Sequence, residues 1–570
     1  MKILGISCHY HDSAAALIID GVPVAMAQEE RFSRIKHDSA FPKKAIDFVM
    51  KRGNCDSVDY VVFYEKPFEK FERFAYSVVS FFPFTYGQFR RGMAVYLKDK
   101  LWVKAELKEN LHVRDDQVLF VPHHLSHASS SYYCSPFQES AILTVDGVGE
   151  WTTTSIGRGE GNKIILLQEI RYPHSLGLLY SVFTAFLGFK VNDGEYKVMG
   201  LAPYGKPIYV DKILKLIDVK DDGSFRLDLS YFSFHTSTTR SFNQKFLNLF
   251  GVPRDPQLGH KFDQHHADIA ASIQKVTEDI LIKLANTAYE LTKSKNLSFA
   301  GGVALNSVAN YKLLQNTPFE NIFVQPSAGD AGGSLGAAQY VYHHFLNNDR
   351  KFVMEHSYYG SEYSNEEVEK FLTDNKIPFT KYCNDKILPE IAKIIADGKV
   401  IGYFQGRSEW GPRALGNRSI LADARRAEML KTVNLKIKFR ESFRPFAPSV
   451  LAEDAQDLFE LPRDHYPSRF MLYVCPVKEE VRKQNLLPAI THVDGSARPQ
   501  IVFERVNKRY YSLLKEFKNI TGIGCFLNTS FNLSDEPIVE SPEDAYKSFS
   551  KSNMDILVLN DYMVTKDGKQ

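Results

Sequence analysis

The stretch VPHHLSHASSSYY, residues 121–133, puts three histidines within five positions in a chain that has 17 histidines among 570 residues. Pro122 fits the first turn of a helix, so His123 and His127 lie at i and i+4 on one helical face, where two imidazoles can grip one metal ion. HHLSH lacks the glutamate of HExxH, so the general base of a metalloprotease is missing. No cysteine stands nearby, and the remaining ligands are expected to be carboxylates. Asp146, after the apolar run AILTV, and Asp330, in the glycine loop PSAGDAGG, each sit where a strand delivers a loop. A His2Asp2 set is mixed and fairly hard, which suits Fe(II), Mn(II) or Zn(II) better than a structural thiolate zinc would. The plain alternative is a helix face packing its histidines. His124, directed away from that face, is read as structural.

A second concentration is cationic. Ten Lys and Arg side chains fall between residues 405 and 444, although Lys plus Arg (70) nearly balances Asp plus Glu (68) over the whole chain. Arg413 lies in GPRALG, and Arg444 stands between Phe443 and Pro445, a poor place for a merely solvated side chain. Planar guanidinium groups bind phosphate and carboxylate in bidentate fashion. A basic surface face is the alternative, and RNA binding is disfavoured because no basic stripe extends beyond this region.

These groups need elements to hold them. ILGIS (3–7), SAAALIID (13–20) and VPVAMAQEE (22–30) read as strands, with a hairpin turn at Asp20–Gly21. A similar sequence of strand and turn begins at residue 141 with AILTVD, TTTSIG and KIILLQEI. Each copy follows its first strand with a polar turn, His9–Asp12 or Asp146–Glu150, and two facing lobes would point both turns into one cleft. A helix is expected over 267–294, and then two strand–glycine turn–helix units over 297–314 and 322–342. Helix N-termini behind glycine turns suit phosphate, though such turns are also ordinary α/β connections. Residues 344–367 read as an interdomain linker, after which a second α/β unit begins.

Length suggests two to four structural units, and 44% hydrophobic with 24% charged residues suits a soluble globular protein. The six scattered cysteines favour a reducing compartment. MKILGISCHYHDS leaves no room for a signal-peptide apolar run, and FAYSVVSFFPFTYGQF (74–89) is broken by Pro83. A cytoplasmic protein without a membrane span is expected.

The motifs HHLSH, LTVDGVGE, AGGVALN and PSAGDAGGSLGAA, in that order, resemble the metal- and nucleotide-binding motifs of the Kae1-like domain, in the actin/Hsp70/sugar-kinase superfamily. QGRSEWGPRALGNRSI, NLKIKFRESFRPFAPSV, SARPQ and FLNTSFN are similar to the YrdC-like domain of the bacterial O-carbamoyltransferases, the family of antibiotic-tailoring, nodulation-factor and saxitoxin-pathway enzymes. The likeness runs from residue 2 to about residue 566. It implies an α/β chain with a two-lobed Kae1-like domain over residues 1–350 (lobes about 1–138 and 139–350) and a YrdC-like domain over 351–570.

The resemblance also implies chemistry. In the YrdC-like domain, carbamoyl phosphate and ATP with Mg2+ would give carbamoyl adenylate. In the Kae1-like domain an acceptor hydroxyl would take the carbamoyl group, as in natural-product tailoring. Arg413, Arg444 and Arg498 would bind carbamoyl phosphate. Gly301, Gly302, Asn306, Asn310, Lys438, Asn528 and Ser530 would bind nucleotide. His123, His127, Asp146 and Asp330 would hold the metal, with Fe2+ expected. His11, in CHYHDSAAA, matches the family's catalytic histidine, and Lys36, in RFSRIKHD, an active-site lysine. The expected partners are carbamoyl phosphate and a small-molecule hydroxyl acceptor, without nucleic acid, and a homodimer is left open. The competing classes are a tRNA threonylcarbamoyl-type enzyme and a non-catalytic nucleotide sensor. The aromatic, basic insertion at 63–103 is read as core and dimer surface, with part of it a candidate for shaping the acceptor pocket.

Overall fold

Three strands with buried apolar residues, β1 (Lys2–Ser7), β2 (Ala14–Ile19) and β3 (Val22–Gln28), form an antiparallel meander. β4 (Tyr60–Phe63) and β5 (Val118–Phe120) continue it on the other side of β1 in parallel, giving the order β3-β2-β1-β4-β5. The plan then repeats. β6 (Glu139–Val145), β7 (Thr152–Glu160) and β8 (Lys163–Arg171) make a second meander. After a short ribbon of β9 (Ile217–Val219) and β10 (Phe225–Leu227), β11 (Asn296–Ala300) and β12 (Asn321–Val324) add in parallel to β6. The order β12-β11-β6-β7-β8 is that of the first sheet read from its other edge. The duplication expected from the two meanders is therefore a duplication of whole sheets.

This computed structural model describes residues 1–98, 100–237, 239–256, 262–440, 443–462 and 466–566. Residues 1–29 and 39–354 form one compact unit, and residues 30–38 and 355–570 another. In the first unit the helix Asp330–Gln339 is buried along its whole length. It runs close to the helix His123–Tyr132 because Gly336 has no side chain: a Cβ there would lie 1.8 Å from Ser126 O. The long helix expected over 267–294 runs Gln264–Thr292, started by Asp263, whose side chain accepts from His266 N. The 344–367 stretch departs from a loose linker. Helical structure continues to Phe345, and Arg350 donates to Tyr132 O, Ser135 O and Phe137 O at 2.8, 2.9 and 2.5 Å. Its first half is thus fastened to the first unit. The insertion folds as two helices, Pro67–Ser80 and Tyr86–Lys98, with Pro83 between them. Among the described residues no helix is long and apolar enough to cross a membrane.

The second unit is built on β13 (Thr380–Lys381), β14 (Ile401–Phe404), β15 (Arg418–Ala422), β16 (Ala447–Leu451), a ribbon of β17 (Cys475–Pro476) with β18 (Ser496–Ala497), then β19 (Gln500–Val502), β20 (Cys525–Ser530), β21 (Ile556–Leu559) and β22 (Tyr562–Thr565). Eight of these join in the mixed order β13-β22-β21-β14-β15-β20-β16-β19. The amphipathic helices Ile387–Ala396 and Lys508–Thr521 bury Ile391, Ile395, Leu514 and Phe517 against Tyr403, Leu421 and Phe526 of the sheet. Residues 30–38 belong here. Arg31 donates to Gly411 O at 2.7 Å, and Arg34 donates to Ile538 O and Pro537 O at 2.7 and 2.9 Å.

Candidate functional site

The helix His123–Tyr132 starts where β5 ends, and its first free amide is met by an acid. Glu150, in the turn after β6, accepts from His123 N at 3.0 and 3.1 Å and from Lys66 N at 2.8 Å. A carboxyl group at a helix N-terminus satisfies an unpaired donor and faces the positive dipole end. Burial pushes the Glu150 pKa up. With the helix so fixed, His123 and His127 direct their Nε2 atoms to one point, 3.0 Å apart. Asp146 Oδ2 lies 3.0 Å from His123 Nε2 and 3.7 Å from His127 Nε2. Asp330 Oδ1, on the first residue of its helix, lies 3.6 and 3.5 Å from the same two nitrogens. The four donor atoms lie within 4.8 Å of one another. Two imidazole nitrogens bound to one ion at ~2.1 Å would stand roughly 3.0–3.4 Å apart, so the donor set fits a divalent transition ion. Both Nδ1 atoms are buried without a hydrogen-bond partner. That of His123 faces Glu65 Oε2 at 3.8 Å.

The charges here oppose and satisfy one another. Burial disfavours the charged form of His127, but Asp146 and Asp330 outweigh it and lift its pKa to about 10. Burial would raise Asp146 and Asp330, yet the histidines around them hold both below the usual carboxylate range. His124 is separate from this set. Its Nδ1 pairs with Thr144 Oγ1 at 2.6 Å, and burial followed by its two histidine neighbours lowers its pKa to about 3.

His11, in the β1–β2 turn, reaches the same place: its Nε2 is 3.8 Å from Asp330 Oδ2 and its Nδ1 is 3.0 Å from Asp12 Oδ2. Burial opposes its charging, but Asp330 and Asp12 prevail and raise its pKa to about 9. The loop after β11 closes over Asp146. Gly301 has φ 93°, and a Cβ on it would lie 2.2 Å from Val145 O. Gly302 N donates to Asp146 Oδ1 at 2.9 Å. A Cβ at Gly147 or Gly329, beside the two aspartates, would meet nothing within 4 Å, so the space next to the carboxylates is open. Asn306 and Asn310 serve the loop itself. Asn306 exchanges both amide bonds with Gln274 and caps the next helix, while Asn310, fully buried, donates to Ala304 O at 2.8 Å.

In the second unit the basic run divides. Arg418 is spent on the fold, donating to Gln405 O, Gly406 O and Ser361 O and stacking 3.7 Å from the Phe404 ring centroid. Arg425 and Arg426 pair with Asp423. Arg407 donates to Tyr359 O and Gly360 O. Lys438, Arg440 and Arg444 come together. Burial lowers the Lys438 pKa well below its ordinary value, and Arg440, Arg444 and Lys36 push the same way against Glu536. Lys438 Nζ is tied to Ser530 O, Ser530 Oγ and Asn532 Oδ1 at 2.5, 3.1 and 2.6 Å, so it also fixes the FLNTSFN loop. Arg498 joins from the other side. Burial depresses its pKa, the charges next in weight are the cations Arg413 and Arg440, and its Nε has no hydrogen-bond partner. Asn528 lies beneath, donating to Ala414 O, Ser449 Oγ and Gln500 Oε1.

Sequence reasoning named most of these groups, with Arg440 only as one of the cationic run and Asp12 and Glu150 only as ends of the two polar turns, and missed Glu65. Glu65 carries no local signal. Lys36, expected with His11, groups with Lys438 in the second unit.

Residues 2–339 match the family described as carbamoyltransferase N-terminus, and residues 392–566 that described as carbamoyltransferase C-terminus. An uncharacterised protein of Synechocystis is 49% identical over 99% of this chain and 96% of its own length. Nodulation protein NolNO of Sinorhizobium fredii is 38% identical over 98% of this chain and 79% of its own. Nodulation protein NolO of Bradyrhizobium diazoefficiens is 40% identical over 78% of each. Among solved structures, component A of the (R)-2-hydroxyglutaryl-CoA dehydratase of Acidaminococcus fermentans aligns over 61% of this chain and all of its own, with 16% identity and a TM-score of 0.35.

Proposed function

The chain belongs to the carbamoyltransferase family, and from that premise we propose that it uses ATP to move the carbamoyl group of carbamoyl phosphate, through carbamoyl adenylate, to the hydroxyl of a small molecule or sugar. The single observation that carries the reading is the cationic cluster of the second unit. Arg498 is half-buried there against other cations, without an acceptor at Nε. A cation partly withdrawn from water with only cations around it is costly, and a small dianion such as carbamoyl phosphate is the kind of ligand that relieves it. Water would open carbamoyl phosphate to carbamate and phosphate, and a carbamate oxygen would displace pyrophosphate from ATP, carried in with Mg2+. Arg413, Arg444, Arg498 and Lys438 neutralise charge on the reacting phosphates, chiefly a matter of positioning and electrostatics. Ser530 is held for nucleotide contact by its bonds to Lys438, and Asn528 supports the floor of the same site.

Transfer belongs to the first unit. The open space at Gly147 and Gly329, where a Cβ would meet nothing within 4 Å, leaves room for the adenylate beside Asp146 and the Gly301–Gly302 turn. His123, His127, Asp146 and Asp330 would hold a divalent ion, which we assign as Fe2+; when bound it supplies positive charge that offsets the carboxylates and polarises an oxygen of the carbamoyl adenylate. The acceptor oxygen attacks the carbamoyl carbon, the bond to the AMP oxygen breaks with its electron pair, and the hydroxyl proton goes to Nε2 of neutral His11, a form favoured once a bound ion offsets the charge of Asp330. Asp12, facing Nδ1, keeps that tautomer in place.

The test is to incubate the pure protein with ATP, Mg2+ and carbamoyl phosphate and measure pyrophosphate. Release that depends on carbamoyl phosphate is expected, and its absence overturns the reading. The His11→Asn variant should release pyrophosphate at the wild-type rate yet transfer the carbamoyl group ~10²–10⁴ times more slowly.

A further inference from the structure

The insertion at 63–103 brings cations and rings to the His11 side of the first unit. Tyr10 precedes His11, with ring centroids 4.6 Å apart. Lys70 Nζ stands 4.9 Å from the Tyr10 centroid and Lys100 Nζ 6.0 Å from it. Lys100 also lies 5.9 Å from the Tyr96 ring, and Arg73 lies over Tyr172 at 5.0 Å. The charge of Lys70 is cancelled by Glu65 at 2.5 Å, both side chains being buried. No such partner meets the other two: among the described residues no carboxylate lies within ion-pair distance of Arg73 or Lys100. Both are half-buried. Lys100 is disfavoured as a cation by burial and then by Lys70, with Glu65 opposing from beyond ion-pair distance.

Two uncompensated cations beside a partly exposed aromatic ring, next to the proposed base, describe a subsite for a ring that bears a negative charge. Cations in a partly desolvated site attract an anion far more strongly than the same groups in water. The face of Tyr10 offers stacking to a sugar or aromatic ring.

We propose that Tyr10, Arg73 and Lys100 form the acceptor subsite and select an acceptor whose hydroxyl-bearing ring also carries an anionic group, a carboxylate or a phosphate. This rests on the carbamoyl-transfer reading and supplies its missing substrate class. Lys70, held by Glu65, supports the Tyr10 ring and adds no net charge.

The experiment compares glucose, glucosamine and glucuronate, which share a ring and hydroxyls and differ in charge, by titrating each into the full chain and following saturation-transfer NMR. Glucuronate should bind at least ~10-fold more tightly than the other two, and the Arg73→Met/Lys100→Met variant should abolish that preference. The single Lys100→Gln change, at a side chain with no hydrogen bond to lose, should reduce it severalfold and keeps the test readable if the double variant misfolds. Carbamoyl-phosphate-dependent pyrophosphate release should stay unchanged in both variants. If release were absent from the wild type, the functional reading would fall, while the sugar titrations would still report on the subsite. Equal binding of the three sugars, a preference for glucosamine, or a glucuronate preference that survives both variants overturns the proposal. So does a variant that weakens AMP binding and leaves the sugar order intact, since the cations would then serve the nucleotide.

Discussion

The two constellations solve opposite electrostatic problems. In the first unit, histidines and aspartates of opposite charge tendency close on one another at 3.0–3.7 Å and share protons. In the second, Arg413, Arg440, Arg444, Arg498 and Lys438 gather in spite of their mutual repulsion, which depresses Lys438 and Arg498 further after burial has done so. The first set can balance its charges without a ligand. The second is held by what surrounds it, by Asn434 at Arg440 Nε and by the Ser530 and Asn532 oxygens at Lys438. A site for a cation can thus rest as a network, whereas a site for an anion stores an unfavourable charge arrangement in the fold.

The sharpest way to break this comparison is to remove one member from each side. His127→Ala takes one of four donors from the first set, and elemental analysis of the folded variant should show the metal lost. Full retention would sink the assignment. Arg498→Met removes a half-buried cation whose charged neighbours are Arg413 and Arg440. Carbamoyl-phosphate-dependent pyrophosphate release should fall by ~10²–10³, the scale for losing one group that stabilises developing charge. The same variant should melt no lower than the wild type, because replacing a half-buried charge among like charges with an apolar side chain is neutral or stabilising. Asp146→Ala in metal-free protein should lower the melting temperature, since it strips protonated His127 of a counter-charge. If the two variants shifted stability in the same direction, the contrast between a self-satisfied and a strained site would be wrong.

How much of this could be read from the chain follows from where each group sits. His123 and His127 are legible because helical periodicity alone places them on one face, Asp146 because it follows a strand directly, and Asp330 because it stands in the glycine loop that a strand leads into. The repeated sheet was legible for the same reason, since its meanders are local. The cations of the second unit were visible as a run, but not which of them were structural. Arg418 and Arg413 stand five positions apart, and only backbone carbonyls from distant segments decide that Arg418 is spent on the fold. Asn306, Asn310 and Asn528 were expected at nucleotide, yet their amides are engaged with neighbouring backbone and side chains. Lys36 was legible as a motif residue but not as part of the second unit. The chain leaves the first unit for residues 30–38 and returns, and nothing in that short stretch announces it.

Glu65 was the least legible residue, and it gives the smallest expected effect. It follows β4, more than fifty residues before the histidine helix, and its carboxylate faces His123 Nδ1 while bonding Lys70. A carboxylate behind a metal-binding imidazole orients the ring and strengthens it as a donor. Glu65→Gln alone would leave Lys70 as an unpaired buried charge and confuse a metal effect with a stability effect. The double change Glu65→Gln/Lys70→Met removes both charges at nearly constant volume. It should weaken metal binding by ~10–100-fold in competition with a chelator, with the melting temperature close to that of the wild type. Unchanged metal affinity would mean that the pair only fills the core beneath Tyr10. A fall in affinity matched by Lys70→Met alone would mean that the lysine, not the carboxylate, sets the histidine. Only a loss that follows Glu65 makes the first constellation a network of five acids and histidines, still self-satisfied, and still the opposite of the cations in the second unit.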